Sequence, residues 1–175
     1  MVIYYLPKYL ERVLELVRIG YATPEDISKR LDISISTARK YLDNLRMLGI
    51  VIKKDNMYIY IEDILQKLFR SCEEAKNFVF YVTSDKPKFL AIRNVIQLWA
   101  ILKYDIVDST SLVYSVYNGY LQKWLTDVLN ENELANKIND LIVMHMRPEE
   151  LREKLLKIIE EHINSKISKY IVAES

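Results

Sequence analysis

Residues 23–61 read TPEDISKRLDISISTARKYLDNLRMLGIVIKKDNMYIYI, and this stretch decides how the chain is expected to fold. It opens with Thr23, Pro24 and Asp26, which are typical of a helix start. A hydroxyl and a carboxylate at this spacing cap the first turn, and proline fits the first helical position. The spacing of Ile27 and Leu31 predicts a short helix that is followed by a tight turn.

A second helix is predicted after the turn, with Ser34 as its N-terminal cap and Gly49 at its end. Ile33 fills the turn between the two helices. A β-hairpin should follow, because residues 50–52 are β-branched, Asp55-Asn56 is a two-residue turn signal and residues 57–61 alternate isoleucine with tyrosine. The apolar residues that we expect to face inward on the second helix are Ala38, Leu42, Leu45 and Leu48.

Upstream, residues 7–19 predict another helix, which starts at Pro7 and ends at Gly20. The order of helix, helix, turn, helix and hairpin resembles the winged helix-turn-helix DNA-binding superfamily, in the manner of MarR-like and ArsR-like archaeal or bacterial regulators. The pieces that carry the resemblance are ISKRLDIS, STARKYLDNLRMLGIV and KKDN. It covers residues 7–61 only, and it implies double-stranded DNA as the partner and transcription regulation as the role.

In such a domain helix 35–48 would enter the major groove, where an α-helix reaches base edges. Arg39 and Lys40 could contact guanine edges or phosphates, while Asp43 would repel phosphate unless it reads a cytosine. The open alternatives are a solvated helix face and a protein–protein module. The residues that we expect at the DNA are Lys29, Arg30, Ser34, Ser36, Thr37, Arg39, Lys40, Asn44, Lys53 and Lys54.

Residues 62–175 are predicted to form a helical bundle of about five helices, so the expected fold class is mainly α with an N-terminal winged helix-turn-helix and a short β-hairpin wing. The expected domains are residues 1–61 and 62–175. Residues 1–61 hold 10 Lys and Arg against 7 Asp and Glu, a net +3, and the rest hold 15 against 17, a net −2. A basic head on an acidic body fits a DNA-binding protein. The predicted helices are residues 62–82, 86–104, 109–130, 132–146 and 148–171.

Two features of this second domain indicate partners. Aromatic residues at helical spacing could line a pocket for a small apolar effector, but a packed core or a dimer interface is the favoured interpretation, because such stripes usually pack. The apolar side of the last helix, from Leu151 to Ile167, could pair with a second copy, or could close its own bundle. A homodimer is expected because regulators of this kind read two half-sites. The aromatic residues are Tyr114, Tyr117, Tyr120 and Trp124, with Trp99, Phe78 and Phe89.

Catalytic, metal and cofactor sites are not expected, because no HExxH, CxxC or glycine-rich phosphate loop is present. We expect His145 and His162 to be surface or packing residues and Cys72 to lie in a helical core stripe. A single cysteine, no apparent signal peptide and no long apolar segment predict a cytoplasmic protein without a membrane span. Its lysine and glutamate richness resembles thermophile proteins. Besides the regulator, the alternatives are a non-enzymatic assembly or structural subunit of a nucleic-acid machine and a ligand sensor.

Overall fold

The computed structural model describes residues 6–83, 86–144 and 146–173, and this part of the chain is mainly helical, as predicted. The chain divides into two compact units, of which the first ends at Lys67 and the second begins at Leu68. The sequence analysis placed the boundary after residue 61, six residues before the end of the first unit. The elements up to this boundary are α1 (Lys8–Arg18), α2 (Pro24–Leu31), α3 (Ile35–Met47), β1 (Val51–Lys54), β2 (Met57–Tyr60) and α4 (Ile61–Leu68).

Local hydrogen bonds fix the ends of the helices in the first unit. The Thr23 hydroxyl accepts from the Asp26 amide at 3.1 Å, and the Asp26 carboxylate accepts from the Thr23 amide at 3.3 Å. The predicted capping box is therefore confirmed. Ser34 caps α3 by accepting from the Thr37 amide at 3.0 Å. Gly49 follows α3 at φ +71°, a left-handed conformation that favours glycine.

Strands β1 and β2 form the predicted antiparallel hairpin, in which Val51 pairs with Tyr60 and Lys54 with Met57 around the Asp55-Asn56 turn. The Tyr58 amide of β2 also donates to the Ala22 carbonyl at 2.8 Å, so this strand runs beside the segment that joins α1 to α2. The buried core of the first unit comprises Leu10, Val13, Val17, Ile27, Ala38, Leu42, Leu45, Ile50, Val51 and Tyr58.

Leu48 does not belong to this core, although it was predicted to be the last residue of the inward stripe. It is 53% exposed and stands at the C-cap of α3, where the helix has ended and the chain turns away. Ile50, which precedes β1, and Val51, the first residue of β1, are buried instead. A helical spacing therefore predicts burial only as far as the helix continues.

The second unit contains a β-hairpin where two helices were predicted. The helix expected over residues 62–82 ends at Leu68, and a 3-10 turn at Glu74–Lys76 precedes the antiparallel pair of β3 (Phe78–Thr83) and β4 (Lys86–Ile92). The physical reason is the sequence FVFYVT, whose aromatic and β-branched residues favour a strand. Phe78 and Phe80 are both buried, one strand period apart.

The single helix predicted over residues 109–130 is two helices, because Gly119 divides it. Gly119 has φ +73° and separates two helices within the predicted 109–130. The last helix contains the whole of the predicted 148–171. No described helix is both long and apolar enough to cross a lipid bilayer. The helices of this unit after β4 are α5 (Val95–Lys103), α6 (Ser109–Tyr117), α7 (Tyr120–Asp127), α8 (Asn132–Ile142) and α9 (Pro148–Ala173).

Packing in the second unit centres on α9, which contacts α5, α6 and α8. Leu151, Leu155 and Ile159 are fully buried, as the predicted apolar stripe requires. After Ile159 the buried face of the helix is no longer purely apolar. The next buried residue is His162, whereas Ile163 and Ile167 are only half-buried. The helix therefore buries a polar group near the middle of its length.

Candidate nucleic-acid interface

Helix α3 presents a polar face opposite its buried face. Ala38, Leu42 and Leu45 are completely buried, and the helical spacing directs Ser36 and Lys40 to the opposite side. Ser36, Arg39 and Lys40 are exposed, and neither basic side chain forms an ion pair with a described residue. Three of the predicted DNA-contacting residues therefore share one accessible side of α3.

Ser34 and Thr37 have a different position from these three. Their hydroxyls hydrogen-bond each other at 2.8 Å, and Ser34 also caps the helix. These side chains are therefore engaged in holding the first turn of α3. What the turn can offer an anion is its backbone, because the first N–H groups of a helix have no intrahelical partner.

Asp43 lies on the outward side of α3, but it is not a free surface carboxylate. It is half-buried and accepts a hydrogen bond of 2.8 Å from the hydroxyl of Tyr58, a fully buried residue of β2. Burial first, and then this hydrogen bond, raise the pKa of Tyr58 to about 12, while the charges of Arg46 and Arg39 oppose the increase. Asp43 therefore joins the hairpin to α3, a role that the sequence analysis missed.

The basic residues of α2 differ in their contacts. The Arg30 guanidinium lies 4.2 Å from the ring centroid of Tyr21 and donates to its hydroxyl, whereas Lys29 is exposed. A cation–π contact of this kind holds an arginine side chain against the surface. Both side chains are exposed, and that of Arg30 also contacts the Tyr21 ring.

The two lysines of the hairpin do not act as a pair. Successive residues of a strand point to opposite faces, and only Lys53 is exposed, with its ammonium 5.6 Å from the Tyr58 ring centroid. Lys54 is half-buried and has another interaction partner. The turn itself is tied to α2, because the Asn56 amide group donates to the Glu25 carboxylate at 3.2 Å. Asn44 of α3 is half-buried, so its access to a ligand is partial.

The predicted aromatic stripe of the second unit does not lie on one helix. Tyr114 and Tyr117 belong to α6, whereas Tyr120 and Trp124 belong to α7, beyond Gly119. Tyr114 and Tyr120 nevertheless approach each other, with their ring centroids 5.7 Å apart. Trp99 is occupied elsewhere, since its indole N–H donates to Glu160 at 3.1 Å. The side chain of Phe89 lies outside the described residues.

A buried polar cluster in the second unit has no counterpart in the sequence analysis. Glu131 and His162 are 7% and 2% exposed, and their carboxylate and imidazole lie 2.9 Å apart. Lys166 donates to the same carboxylate at 2.5 Å. Burial alone would raise the pKa of Glu131, but the hydrogen bonds from His162 and Lys166 outweigh it and lower the pKa below its ordinary value. The only signal in the sequence is the i, i+4 spacing of His162 and Lys166.

The other candidate residues of the second unit show no site chemistry. Cys72 was predicted in a helical core stripe, which is wrong, because it is half-buried in the segment after α4 and its thiol contacts the Lys76 carbonyl at 3.4 Å. His145 lies outside the described residues. Within the described ranges, no three His, Cys, Asp or Glu side chains are grouped so that they could hold a metal ion.

Comparisons with known proteins do not add a family to this geometry. The chain matches no protein-family model, and comparisons with curated proteins and with solved structures find no significant match. Functional conclusions therefore depend on the residues and their contacts alone.

Proposed function

We propose that residues 7–61 are a winged helix-turn-helix domain that binds double-stranded DNA, and that the protein is a non-enzymatic transcription regulator. The observation that carries the proposal is the accessible polar side of α3, where Ser36, Arg39 and Lys40 lie opposite a fully buried stripe. A helix with this division can enter the major groove while its other face stays in the core.

The contacts within this unit suggest a role for each predicted residue. Arg39 and Lys40 would bind guanine edges or phosphates, and Ser36 would supply a neutral hydrogen bond. The first turn of α3, which Ser34 caps, would direct backbone N–H groups at a phosphate. Lys29, Arg30 and Lys53 would bind the DNA backbone beside the groove.

The hydrogen bond between Tyr58 and Asp43 answers the objection that an acid on α3 repels DNA. Its carboxylate accepts from Tyr58, and Arg39 and Arg46 lie one helical turn to either side along α3. The positive charges of these two arginines would offset part of the repulsion between Asp43 and phosphate. In this arrangement the hairpin holds α3 in place, and Asp43 is a positioning residue that does not read the DNA itself.

A homodimer is part of the proposal, because a single short recognition helix binds DNA with low affinity. Two copies of the first unit are needed to bind two half-sites of a DNA target. The second unit would supply the dimer contact. Sedimentation of the full chain should then give about twice its mass of 20.7 kDa. A monomer at micromolar concentration would contradict the dimer, while leaving the DNA contact itself to be tested separately.

The DNA contact is tested with fluorescence anisotropy on mixed-sequence duplex DNA at two salt concentrations. Binding should weaken steeply with salt, because neutralised phosphates release counterions. Arg39→Ala should weaken binding about tenfold and reduce the salt dependence by about one counterion. Arg12→Ala is the matched control, since Arg12 is also an exposed arginine of the first unit and lies on α1.

Two results would overturn the proposal. One is the absence of DNA binding at low salt, which would favour the alternative of an assembly subunit that uses this unit for protein contacts. The other is equal binding by the Arg39→Ala and Arg12→Ala variants, which would show that DNA is bound by a surface other than α3. Thermal unfolding of both variants should be unchanged, so that loss of binding is not loss of fold.

A further inference from the structure

A cavity of about 390 Å³ lies in the second unit beside β3 and the helices α6 and α7. Its volume falls within the range of small-molecule sites in proteins. The described residues that border it and that matter for its chemistry are Asn77, Phe78, Tyr81, Tyr114, Ser115 and Tyr120. Four of these six are aromatic, and none of the described lining residues is charged. Tyr117 and Trp124, which the sequence analysis also expected here, do not line it.

The aromatic wall of the cavity is held in place by the surrounding core. The rings of Tyr114 and Tyr120 lie 5.7 Å apart at 47° and come from different helices. Phe78 packs against Trp124 at 5.4 Å and against Phe80 at 4.9 Å, so its ring is fixed from behind. Phe78 is therefore already in place to receive a ligand, whereas Tyr120 is 47% exposed and borders the cavity from the surface.

Asn77 supplies the polar feature of the cavity. Its side-chain oxygen is buried and receives no hydrogen bond from a described group. The backbone around it is held by two hydrogen bonds. The Trp124 indole N–H donates to the Lys76 carbonyl at 2.9 Å, and the backbone N–H of Asn77 donates to the backbone carbonyl of Glu74 at 3.3 Å. A buried acceptor without a donor is costly, and the terminal amide of asparagine rotates easily. The oxygen is covered in this conformation, so a donor within the cavity gains this hydrogen bond when the Asn77 side-chain amide rotates toward it.

We propose that this cavity binds a small, uncharged, planar aromatic molecule that donates a hydrogen bond to the Asn77 side-chain oxygen. Tyrosine and phenylalanine rings favour stacked or edge-to-face contacts with a flat ring. An anion is disfavoured because no described basic residue lines the cavity. Ser115 contributes a small polar side chain to the lining. The site does not depend on the DNA contact proposed above, because all of these residues belong to the second unit.

The binding test is an NMR titration of the full chain with three probes of similar size. Indole has a flat ring and a donor, 1-methylindole lacks the donor, and cyclohexanol has a donor without an aromatic ring. Indole should shift the backbone amides of Asn77, Val79 and Ser115 with a dissociation constant of about 1 mM or tighter. The two other probes should each bind about fivefold more weakly, as the loss of one good contact predicts.

Variants assign the contacts to residues. Asn77→Leu should remove the preference for indole over 1-methylindole, and Tyr120→Ala should weaken both probes about fivefold. Tyr104→Ala is the matched control, because Tyr104 is an exposed tyrosine of the same unit that does not line the cavity. The proposal is overturned if indole shifts amides elsewhere or not at all. It is also overturned if 1-methylindole binds as well as indole, or if Tyr104→Ala weakens binding as much as Tyr120→Ala.

Discussion

Replacing Glu131 by glutamine removes a buried charge while it keeps the shape of the side chain. In the native protein this carboxylate accepts from His162 at 2.9 Å and from Lys166 at 2.5 Å. Glutamine retains one acceptor oxygen, but its amide nitrogen has to face a second donor. The change therefore leaves the His162 ring and the Lys166 ammonium without a shared anion in the interior of the second unit.

The size of the effect follows from the burial of the three partners. Breaking a fully buried ion pair costs about 3–5 kcal/mol, because the remaining charge has lost its hydration. The Lys166 side chain is 32% exposed and can recover part of its hydration, so we expect a loss of about 2 kcal/mol in the free energy of unfolding. For a unit of this size that loss corresponds to a melting temperature lower by roughly 10 °C.

Tryptophan fluorescence measures this loss in the second unit alone. The chain has two tryptophans, Trp99 and Trp124, and both lie after Leu68. Urea unfolding followed by their emission should therefore report on this unit. Glu133→Gln is the matched control, since Glu133 forms exposed ion pairs with Lys137 and Lys169 and its loss should hardly change stability.

The pH dependence gives a second check on the same carboxylate. The pKa of Glu131 is lower in the folded state than in the unfolded state, where it is about 4.5. The carboxylate therefore contributes fully to the free energy of unfolding above about pH 4.5, and this contribution is lost as the pH falls through the folded-state pKa. The stability difference between the native protein and Glu131→Gln should therefore narrow below about pH 4.5. A difference that stays constant from pH 7 to pH 3, or that equals the effect of Glu133→Gln, would refute the reasoning.

Two further predictions concern the first unit, whose unfolding can be followed by NMR amide intensities in urea. Tyr58→Phe should cost about 1 kcal/mol, since it removes a hydrogen bond to the half-exposed Asp43 carboxylate. The pKa of Tyr58 in the folded state is raised to about 12. The difference in the free energy of unfolding between the native protein and Tyr58→Phe should therefore be complete below pH 10 and shrink above it. A difference that stays constant up to pH 12 would contradict this. Ser34→Ala should destabilise the unit by about 1 kcal/mol through the lost cap. Ser36→Ala, two residues along the same helix, should have no such effect, and equal losses would show that the cap contributes nothing.

The sequence predicted the first unit far better than the second. Residues 7–61 follow the predicted order of helices and strands, because each signal there acts over a few residues. The prediction of helices within residues 69–92 was wrong, since hydrophobic periodicity over a short apolar run does not distinguish a helix from a strand. The phenylalanine and valine content of residues 78–82 was the signal that could have decided it.

The candidate sites show the same division. Ser36, Arg39 and Lys40 could be chosen from the sequence, because the side of a helix that a residue occupies depends only on its spacing from the core stripe. Their neighbour Asp43 could not be interpreted, since its partner Tyr58 lies on a strand 15 residues away. Only part of the wall of the cavity was among the predicted aromatic residues, and Asn77 and Tyr81 were missed because a helix was predicted where β3 lies.

The sequence by itself determined the caps at Thr23 and Ser34, the inward stripe of α3 from Ala38 to Leu45 and the hairpin turn at Asp55-Asn56. These features depend on groups within about four residues of one another, which covalent geometry already holds together. Only the tertiary structure decided which polar groups meet in the interior, such as Glu131 with His162. Those contacts depend on where distant segments return to each other, and that is set by the packing of the whole unit.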